Sequence, residues 1–484
     1  MARRGGGCRA GPFDSLAEVR GQSLLRRVVI GVLRFALRVF FRRVEVVGLE
    51  RVPRSGALLF VLNHPNGLVD PAFLLCFAPR RVSFLAKSPL FGTPVVGFFV
   101  RRMEAIPVYR SQDEGADTAR NRETFARAHE LLRRGGTIAI CPEGKSHSEP
   151  SLQPLKTGAA RIALGAASTE PPLDLKIVPA GLYYTAKTTF RSGALLYFGE
   201  PLAVEPVAPG ADGEPPREAA RRLSDRIADS LRALTLNADR HEALAVVARA
   251  ERIFSSGDEE EERGGDGSLA RELRRRRRFV EGYAFHRERS PARLAELERR
   301  IWQYEEELRQ AGLEDPRQLS TGEVARHARP WHLLSRGLLF ALLAPAALLG
   351  ALVHFPAYKL AGLLATRLSQ NYDDVLSTFK IMAAMLLFPA TWLALAALAY
   401  LTRGWWAAGA ALAAAPLAGY AALRTREKFD RFVAGTRALV FFVTERRFFR
   451  RLLDERRAIR REILALGDEA ERAGALNRTT EVPS

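Results

Sequence analysis

The chain has 484 residues and a formal net charge of +19. This length exceeds one ordinary hydrophobic core and predicts at least two structural units, while the charge predicts an anionic partner, either nucleic acid or an acidic membrane surface. Long apolar stretches between about 333 and 423 favour the membrane, and we recognise no nucleic-acid-binding module. The three cysteines form no CxxC pair, so we expect neither a disulfide framework nor a structural metal site.

The first predicted element is a helix over Leu24–Arg42, in an N-terminal segment that we bound at residues 1–43. Its arginines recur at helical spacing on an otherwise apolar sequence: Arg27, Arg34, Arg38 and Arg42. This pattern predicts an amphipathic helix in the membrane interface, with its arginines near lipid phosphates. The alternative is a core helix whose arginines reach out to solvent. Because no secretory signal is evident, we expect the catalytic part to face the cytoplasm.

Residues 44–202 predict an α/β domain. Strand-like apolar runs occupy residues 57–62, 81–84, 137–141, 176–182 and 194–198. Helical periodicity falls between them, at residues 71–78, 117–134 and 157–167. This alternation predicts an α/β sandwich, and such domains place their chemistry where the strands end.

Three regions follow: a linker and charged helical region at 203–330, a membrane region at 331–424 and a basic helical tail at 425–484. The membrane region contains apolar segments at 333–355, 381–402 and 404–423. The last two are each long enough to cross a bilayer and predict a hairpin. Cationic residues flank this hairpin on both sides, so the positive-inside rule places both flanks in the cytoplasm. The first segment is interrupted by Pro345, and we expect it to be re-entrant or interfacial.

A short polar motif follows the first apolar run of the α/β domain: Asn63-His64-Pro65-Asn66-Gly67-Leu68-Val69-Asp70. Histidine can remove the proton of an alcohol near neutral pH, and a carboxylate can fix the tautomer of its imidazole. His64 and Asp70 are therefore candidates for a base and its orienting carboxylate. Asp70 before Pro71 also fits a plain helix N-cap, and both roles can hold together.

A second motif, Cys141-Pro142-Glu143-Gly144-Lys145-Ser146-His147, follows another apolar run. Glu143 can accept a hydrogen bond from a substrate hydroxyl, and Lys145 together with exposed backbone N–H groups can bind a phosphate. Between the two motifs, arginines stand beside apolar residues and suit a phosphate attached to a lipid: Arg101, Arg102 and Arg110. A solvated cationic turn is the alternative for Arg101 and Arg102.

With these motifs, the chain resembles the phospholipid/glycerol acyltransferase family. The four blocks of that family stand here as Asn63-His64 with Asp70, Gly97 to Arg110, Pro142-Glu143-Gly144 with Ser146, and Ile177-Val178-Pro179-Ala180-Gly181. Wider stretches, including NHPNGLVDP, AIPVYRSQD and PEGKSHSEPSLQPLKTGAA, resemble the fungal-type glycerol-3-phosphate/dihydroxyacetone-phosphate acyltransferases and their bacterial relatives.

The resemblance implies a glycerolipid acyltransferase-like α/β sandwich and assigns roles to its residues. His64 would be the general base, Asp70 its orienting carboxylate, and Glu143-Gly144 the site of the acyl acceptor. Arg110 would contact the phosphate, with Arg101 and Arg102 as the other candidates in the second block. The chain departs from the family pattern in one respect, because five residues stand between His64 and Asp70 where four are usual.

We therefore predict a membrane-bound O-acyltransferase that moves a fatty acyl group to glycerol 3-phosphate or 1-acylglycerol 3-phosphate. Acyl-CoA or acyl carrier protein would be the thioester co-substrate, no further cofactor or metal is expected, and the partners would be membrane lipids rather than nucleic acid. Two alternatives remain open. The protein could be an acyl hydrolase or thioesterase, with Cys141 as nucleophile or with water in place of the acceptor, or it could be a non-catalytic lipid-binding membrane protein.

Overall fold

The computed structural model describes residues 16–110, 120–211, 213–256, 268–313, 315–319, 330–370 and 372–476. These residues form two compact units. The first ends at Thr235, and the second begins at Leu236 and also includes the short segment Ser148–Ser151.

The first unit is built on a mixed β-sheet. Its strands are β1 (Arg43–Val47), β2 (Ala57–Leu62), β3 (Ser83–Lys87), β4 (Ile106–Val108), β5 (Thr137–Ile140), β6 (Leu175–Tyr184), β7 (Gly193–Phe198) and β8 (Leu202–Ala203). Their order is β1-β7-β6-β2-β5-β3-β4, with β8 beside β6. Strands β2, β3, β4, β5 and β6 are mutually parallel where they pair, whereas β7 and β8 run antiparallel to β6. Every residue of the central strand β2 is buried, which explains its uninterrupted apolar sequence.

The helices of the first unit are α1 (Leu16–Phe40), α2 (Val69–Phe77), α3 (Pro94–Arg102), α4 (Asn121–Arg133), α5 (Gly158–Ala167) and α6 (Arg217–Leu234). Apolar residues of α4, α5 and α6 share one core with alternate residues of β2, Leu59 and Val61 among them. The intervening residue Phe60 contacts Phe198 of β7 instead. This alternation shows that the sheet is buried on both faces. The predicted α/β sandwich is confirmed.

The strands agree with the apolar runs to within a few residues, and β2 matches its run completely. Strands β1, β4 and β8 were missed, because β4 and β8 are only three and two residues long and no residue of β1 is fully buried. Helix α6 belongs to this unit as well, since Leu223, Ile227 and Leu231 are buried in the same core. The compact unit thus extends past residue 202, where the sequence analysis placed the start of a linker.

Helix α1 packs on the end of α2. The guanidinium of Arg34 donates to the Cys76 carbonyl, and both Arg34 and Arg38 lie over the ring of Phe77. A cation at a helix C-terminus is favourable because carbonyl groups there lack helical partners. These two arginines therefore bind protein. The exposed side of α1 also carries large apolar residues: Leu24, Val28, Val32 and Phe35.

The second unit is helical. Its helices are α7 (His241–Ser255), α8 (Leu269–Arg289), α9 (Pro291–Gln310), α10 (Pro330–Leu368), α11 (Asp373–Arg403), α12 (Trp405–Thr444) and α13 (Arg446–Arg472). The arginine run of α8 is engaged in ion pairs. Arg275 and Arg276 both bind the buried carboxylate of Glu251, and Arg278 binds Glu471. This run thus holds helices of the second unit together.

Helices α10, α11 and α12 are each long and apolar enough to cross a membrane. Helix α10 continues through Pro345 and Pro356 without a break, so the interruption that the sequence analysis expected at Pro345 does not occur. The three helices meet around His354, whose Nδ1 donates to the Gly350 carbonyl at 2.7 Å and whose Nε2 accepts from Trp392 Nε1 at 2.9 Å. Both ring nitrogens of His354 are therefore paired within the apolar region.

The two flanks of this apolar region share one hydrophobic core. Ile253 of α7 and Ile301 of α9 precede it in the chain, whereas Phe449 and Ile459 of α13 follow it, and all four are buried in the same cluster. Arg293 of α9 also binds Glu462 and Glu469 of α13. Residues that pack in one core lie on one side of any bilayer.

Candidate active site

The carboxyl ends of the parallel strands β2, β4, β5 and β6 lie at one edge of the sheet. His64 follows β2, Arg110 follows β4, and Glu143 follows β5, while Tyr184 is the last residue of β6. Because these strands are parallel, His64, Arg110 and Glu143 of the first three family blocks lie at the same edge of the sheet.

The central contact of this site joins His64 and Asp70. Nδ1 of the imidazole lies 2.9 Å from Oδ2 of the carboxylate. Asp70 is fully buried, whereas the side chain of His64 retains 19% of its exposure. A carboxylate at Nδ1 holds the proton on that nitrogen, so Nε2 carries the free lone pair. The pair is arranged as a base and its orienting group.

The turn between these residues accommodates their unusual spacing. Gly67 has a φ of 44°, in the left-handed region that suits glycine. Val69 N–H donates to the Asn66 carbonyl at 3.0 Å, and Asn66 N–H donates to Asp70 Oδ2 at 2.7 Å. The turn thus brings the carboxylate back onto the imidazole. Helix α2 already begins at Val69 and its cap residue is Leu68, so the expectation that Asp70 is the N-cap was wrong.

Tyr184 completes the environment of Asp70. Its hydroxyl donates to Asp70 Oδ1 at 2.6 Å, and its ring packs against Phe41, which directly follows α1, and against Phe73 of α2. Burial and the neighbouring carboxylate raise the pKa of Tyr184 well above its usual value, so the hydroxyl stays a donor. The sequence analysis missed this residue. The available signal was a tyrosine at the end of a strand that leads to the same sheet edge.

The imidazole of His64 has an altered affinity for protons. Burial lowers its pKa, but interactions with Cys141 and with the Asp70 carboxylate outweigh burial and raise the pKa of His64 well above its ordinary value.

The backbone next to His64 is also fixed by hydrogen bonds. The Asn63 side chain forms two hydrogen bonds with Leu182 of β6, donating to its carbonyl at 3.0 Å and accepting from its N–H at 2.7 Å.

Glu143 lies inside the protein. Its Oε1 accepts from the backbone N–H of His64 at 2.9 Å, and its Oε2 accepts from the backbone N–H of Gln153 at 2.8 Å. Nε2 of His147 lies 2.5 Å from the same Oε2, and His147 N–H in turn donates to the His64 carbonyl at 3.1 Å. Both polar groups of the His64 backbone are therefore bound to the second motif. In this arrangement Glu143 positions the base.

The cationic candidates divide into two groups. Arg110 donates from Nη1 to the Gly144 carbonyl at 2.8 Å, so it lies beside the second motif, where Lys145 is exposed. Arg101 donates to the Phe91 carbonyl and Arg102 lies over the ring of Phe98, both at the end of α3. The structure thus brings Arg110 to the Gly144 loop and places Arg101 and Arg102 on the surface of α3.

Two further residues shape this loop. Gly144 has a φ of 76°, and a Cβ there would lie 2.9 Å from Cε and Nζ of Lys156, so the position requires glycine. Lys187 donates to the carbonyls of Pro65 at 2.7 Å and His147 at 3.4 Å. It links the two motifs and was missed, because nothing in its local sequence marks it.

This geometry suits a histidine that accepts a proton from a hydroxyl or from water. Two family models match the chain. "Acyltransferase" matches residues 43–183, and "Glycerol-3-phosphate acyltransferase 2 C-terminal domain" matches residues 266–471. The 1-acyl-sn-glycerol-3-phosphate acyltransferase of Bacillus subtilis is 30% identical over 164 residues, which cover 33% of this chain and 73% of that protein. The chain belongs to the acyltransferase family.

Two yeast proteins extend the similarity into the second unit. Glycerol-3-phosphate O-acyltransferase 1 of Saccharomyces cerevisiae is 26% identical over 466 residues, covering 75% of this chain and 60% of that protein. Glycerol-3-phosphate O-acyltransferase 2 of the same organism is 29% identical over 286 residues, covering 57% of this chain and 37% of that protein. The chain thus spans less than two thirds of the length of either yeast relative.

Proposed function

We propose that this protein is a membrane-bound O-acyltransferase that transfers a fatty acyl group to a hydroxyl of glycerol 3-phosphate or 1-acylglycerol 3-phosphate. The observation that carries the proposal is the His64–Asp70 contact of 2.9 Å at the carboxyl end of β2. Membership of the acyltransferase family and the yeast and bacterial relatives support the reaction and the acceptor class.

In this mechanism, Nε2 of His64 accepts the proton of the acceptor hydroxyl as the oxygen attacks the acyl carbonyl of a thioester. Asp70 holds the other ring nitrogen and stabilises the imidazolium that forms. The carbon–sulfur bond then breaks, His64 returns its proton to the leaving thiolate, and the products are an ester and a free thiol. The donor would be acyl-CoA or acyl carrier protein. Tyr184 and Glu143 do not touch the substrate and act as positioning residues.

The phosphate of the acceptor would bind near the Gly144 loop. Arg110 lies there, held by the Gly144 carbonyl, and the exposed Lys145 adds a second cation. A guanidinium presents several donors in one plane, which suits a phosphate. Arg110 would then place the acceptor at a fixed distance from His64, because both residues stand at ends of parallel strands.

The membrane location follows from the second unit and from the substrates. Three helices of that unit are long and apolar enough to cross a bilayer. A fatty acyl product with a charged head group partitions to the membrane surface. We therefore place the protein in the membrane, with the first unit facing the cytoplasm.

Purified protein in detergent, supplied with radiolabelled palmitoyl-CoA, tests this function and its acceptor. Glycerol 3-phosphate, dihydroxyacetone phosphate and 1-acylglycerol 3-phosphate are compared as acceptors, and the lipid products are separated by thin-layer chromatography. We expect labelled ester with glycerol 3-phosphate or 1-acylglycerol 3-phosphate. Release of free fatty acid at the same rate with and without acceptor would contradict the proposal and indicate a hydrolase.

A further inference from the structure

An apolar groove runs along the last part of α12, within the second unit, and has a volume of about 650 Å³. Large apolar side chains of α12 line it: Phe429, Phe432, Val433, Val440 and Phe441. Ala311 and Gly312, which directly follow α9, also line it. Pockets of about 300–1,000 Å³ that are mainly apolar with a few polar groups are typical of sites for small ligands.

The groove lies beyond the apolar segment 404–423 of the same helix, since charged residues begin at Arg424. Residues 429–444 extend about 22 Å along a helix, at about 1.5 Å per residue. One leaflet of a bilayer contributes about 15 Å of hydrocarbon, half of the core thickness. The groove is therefore long enough to hold one acyl chain of a membrane lipid.

The groove combines a packed base with an exposed apolar surface. Phe441 is buried in the core of the second unit, where its ring packs against Phe449. Phe340 of α10 packs against the ring of Phe429. Phe429 and Val440 nevertheless remain 48% and 55% exposed. An apolar surface that stays exposed in a folded unit is typical of a site that binds lipid or another apolar ligand.

One cation lies among these apolar side chains. Arg437 lines the groove and is exposed, and within the part of the chain that the structure describes it forms no ion pair. Other arginines of α12 differ in this respect. Arg424 lies 3.7 Å from Glu427, and Arg426 lies 3.8 Å from Asp430.

The remaining polar side chains of the groove are already engaged within α12. Thr436 donates to the Phe432 carbonyl and Thr444 donates to the Val440 carbonyl, each at 2.9 Å. Arg437 is therefore the side chain of the lining that selects the charge of a ligand. A guanidinium beside an apolar surface suits a phosphate that carries acyl chains, and basic pockets beside membrane helices bind anionic head groups.

We propose that this groove binds an acidic phospholipid from the membrane, with an acyl chain against the apolar side chains of α12 and the phosphate paired with Arg437. A membrane lipid is favoured over a soluble ligand because α12 is itself long and apolar enough to cross a bilayer. A lipid can then reach the groove along the helix. The site lies in the second unit and takes no part in the acyl-transfer step.

The test uses the purified full-length protein in phosphatidylcholine nanodiscs that contain a small fraction of a photoactivatable lipid. The probe is either phosphatidic acid or phosphatidylcholine, each with a diazirine near the end of one acyl chain. After irradiation and digestion, cross-linked peptides are quantified by mass spectrometry. We expect labelling of residues 429–444, about fivefold stronger with phosphatidic acid. Peptides of α11 that contain the exposed Leu401 serve as the reference and should be labelled equally by both lipids.

Two variants, each with a matched control, test the apolar and the charged part of the site. Val433→Trp fills the groove and should reduce its labelling by both lipids at least about fivefold, whereas Ala421→Trp changes an exposed position outside the groove and should not. Arg437→Gln should lower labelling by phosphatidic acid to the level of phosphatidylcholine. Arg426→Gln removes an exposed arginine of the same helix and should leave the preference unchanged.

Three results would overturn this inference. The first is absence of labelling at residues 429–444 in wild type while α11 is labelled. The second is unchanged labelling of the groove in a folded Val433→Trp variant. The third is equal labelling of the groove by the acidic and the neutral lipid in wild type.

A further arm distinguishes the lipid from the acyl donor. If palmitoyl-CoA removed the labelling by phosphatidic acid at a lower concentration than unlabelled phosphatidic acid does, the groove would belong to the donor, and the proposed ligand would be wrong. The readout is labelling and requires no acyl transfer. Failure of the proposed function would therefore leave this test intact, and the reverse also holds.

Discussion

The hydroxyl of Tyr184 donates a 2.6 Å hydrogen bond to Oδ1 of Asp70, the carboxylate whose other oxygen lies 2.9 Å from the imidazole of His64. These three side chains come from the end of β6, the first turn of α2 and the end of β2. The imidazole of His64 is therefore held through a chain of contacts. In the proposed mechanism, its strength as a base depends on Asp70 and Tyr184.

Replacing Tyr184 by phenylalanine should slow catalysis while leaving the packing of the aromatic ring unchanged. The ring keeps its packing between Phe41 and Phe73, but Asp70 loses the donor at Oδ1. A buried acceptor that loses its partner costs about 1–3 kcal/mol. We expect a lower melting temperature and a kcat reduced about tenfold, because 1.4 kcal/mol corresponds to a factor of ten.

The matched control for this variant is Tyr197→Phe. Tyr197 lies on β7 with its ring beside Arg51, away from Asp70. Its loss of a hydroxyl should leave kcat within about twofold of wild type. Equal kcat values for Tyr184→Phe and wild type would show that the hydrogen bond to Asp70 does not support catalysis.

The pH dependence of kcat/KM should report the raised pKa of His64. A base acts only when it is deprotonated, so activity falls as the pH falls through its pKa. Because that pKa lies well above the ordinary value of a histidine, the acid limb should lie above about pH 6.5. Asp70→Asn removes a carboxylate that, together with Cys141, raises the pKa of His64, so the limb should move to lower pH while kcat falls. A limb that stays in place would contradict the role of Asp70.

Glu143→Gln separates two roles of this residue. The sequence analysis predicts that Glu143 binds the acyl acceptor, whereas the structure engages both carboxylate oxygens with backbone N–H groups. Glutamine places an NH₂ group where an acceptor is needed, at a cost of about 1–3 kcal/mol. We expect a lower melting temperature and a lower kcat, with the acceptor KM changed less than about twofold.

The exposed Glu205 provides the control, and Glu205→Gln should change neither stability nor rate. A Glu143→Gln variant of normal stability whose acceptor KM rises more than about tenfold would favour direct binding of the acceptor.

Much of this site could be predicted from sequence, because the motifs stand directly after apolar runs. His64, Asp70 and Glu143 lie where strand-end reasoning expects them. Tyr184 could not be found in this way, because it stands 114 positions from Asp70 in the sequence. Its hydrogen bond to Asp70 depends on how β6 pairs with β2. Glu143 shows the same limit. Its residue type suggested contact with a substrate, but only the fold reveals that backbone N–H groups already occupy its oxygens.

The expected interruption at Pro345 was wrong for a different physical reason. A proline inside a helix removes one hydrogen bond, and the sequence analysis therefore expected an interruption at Pro345. In an apolar bundle, neighbouring helices compensate for that loss, and α10 continues through both of its prolines.

The shared core of α7, α9 and α13 predicts that both flanks of the apolar region lie on one side of the bilayer. An even number of complete crossings is then required, so α10, α11 and α12 cannot all cross completely. Single cysteines can be introduced at an exposed position on each flank of a chain without native cysteines. The two variants are Glu296→Cys on one flank and Arg457→Cys on the other. A membrane-impermeant maleimide should label both in vesicles of one orientation and neither in the opposite one. Labelling from opposite sides would establish an odd number of crossings and contradict this prediction.

The proton-accepting role of His64 is tested most directly by acyl transfer from labelled acyl-CoA to a phosphorylated glycerol acceptor in purified wild type, His64→Ala and His241→Ala. His241 is an exposed histidine of α7 and controls for loss of an imidazole elsewhere. We predict that His64→Ala loses on the order of 10²–10⁴-fold in rate while His241→Ala matches wild type. Transfer by a folded His64→Ala variant at the wild-type rate would contradict the mechanism.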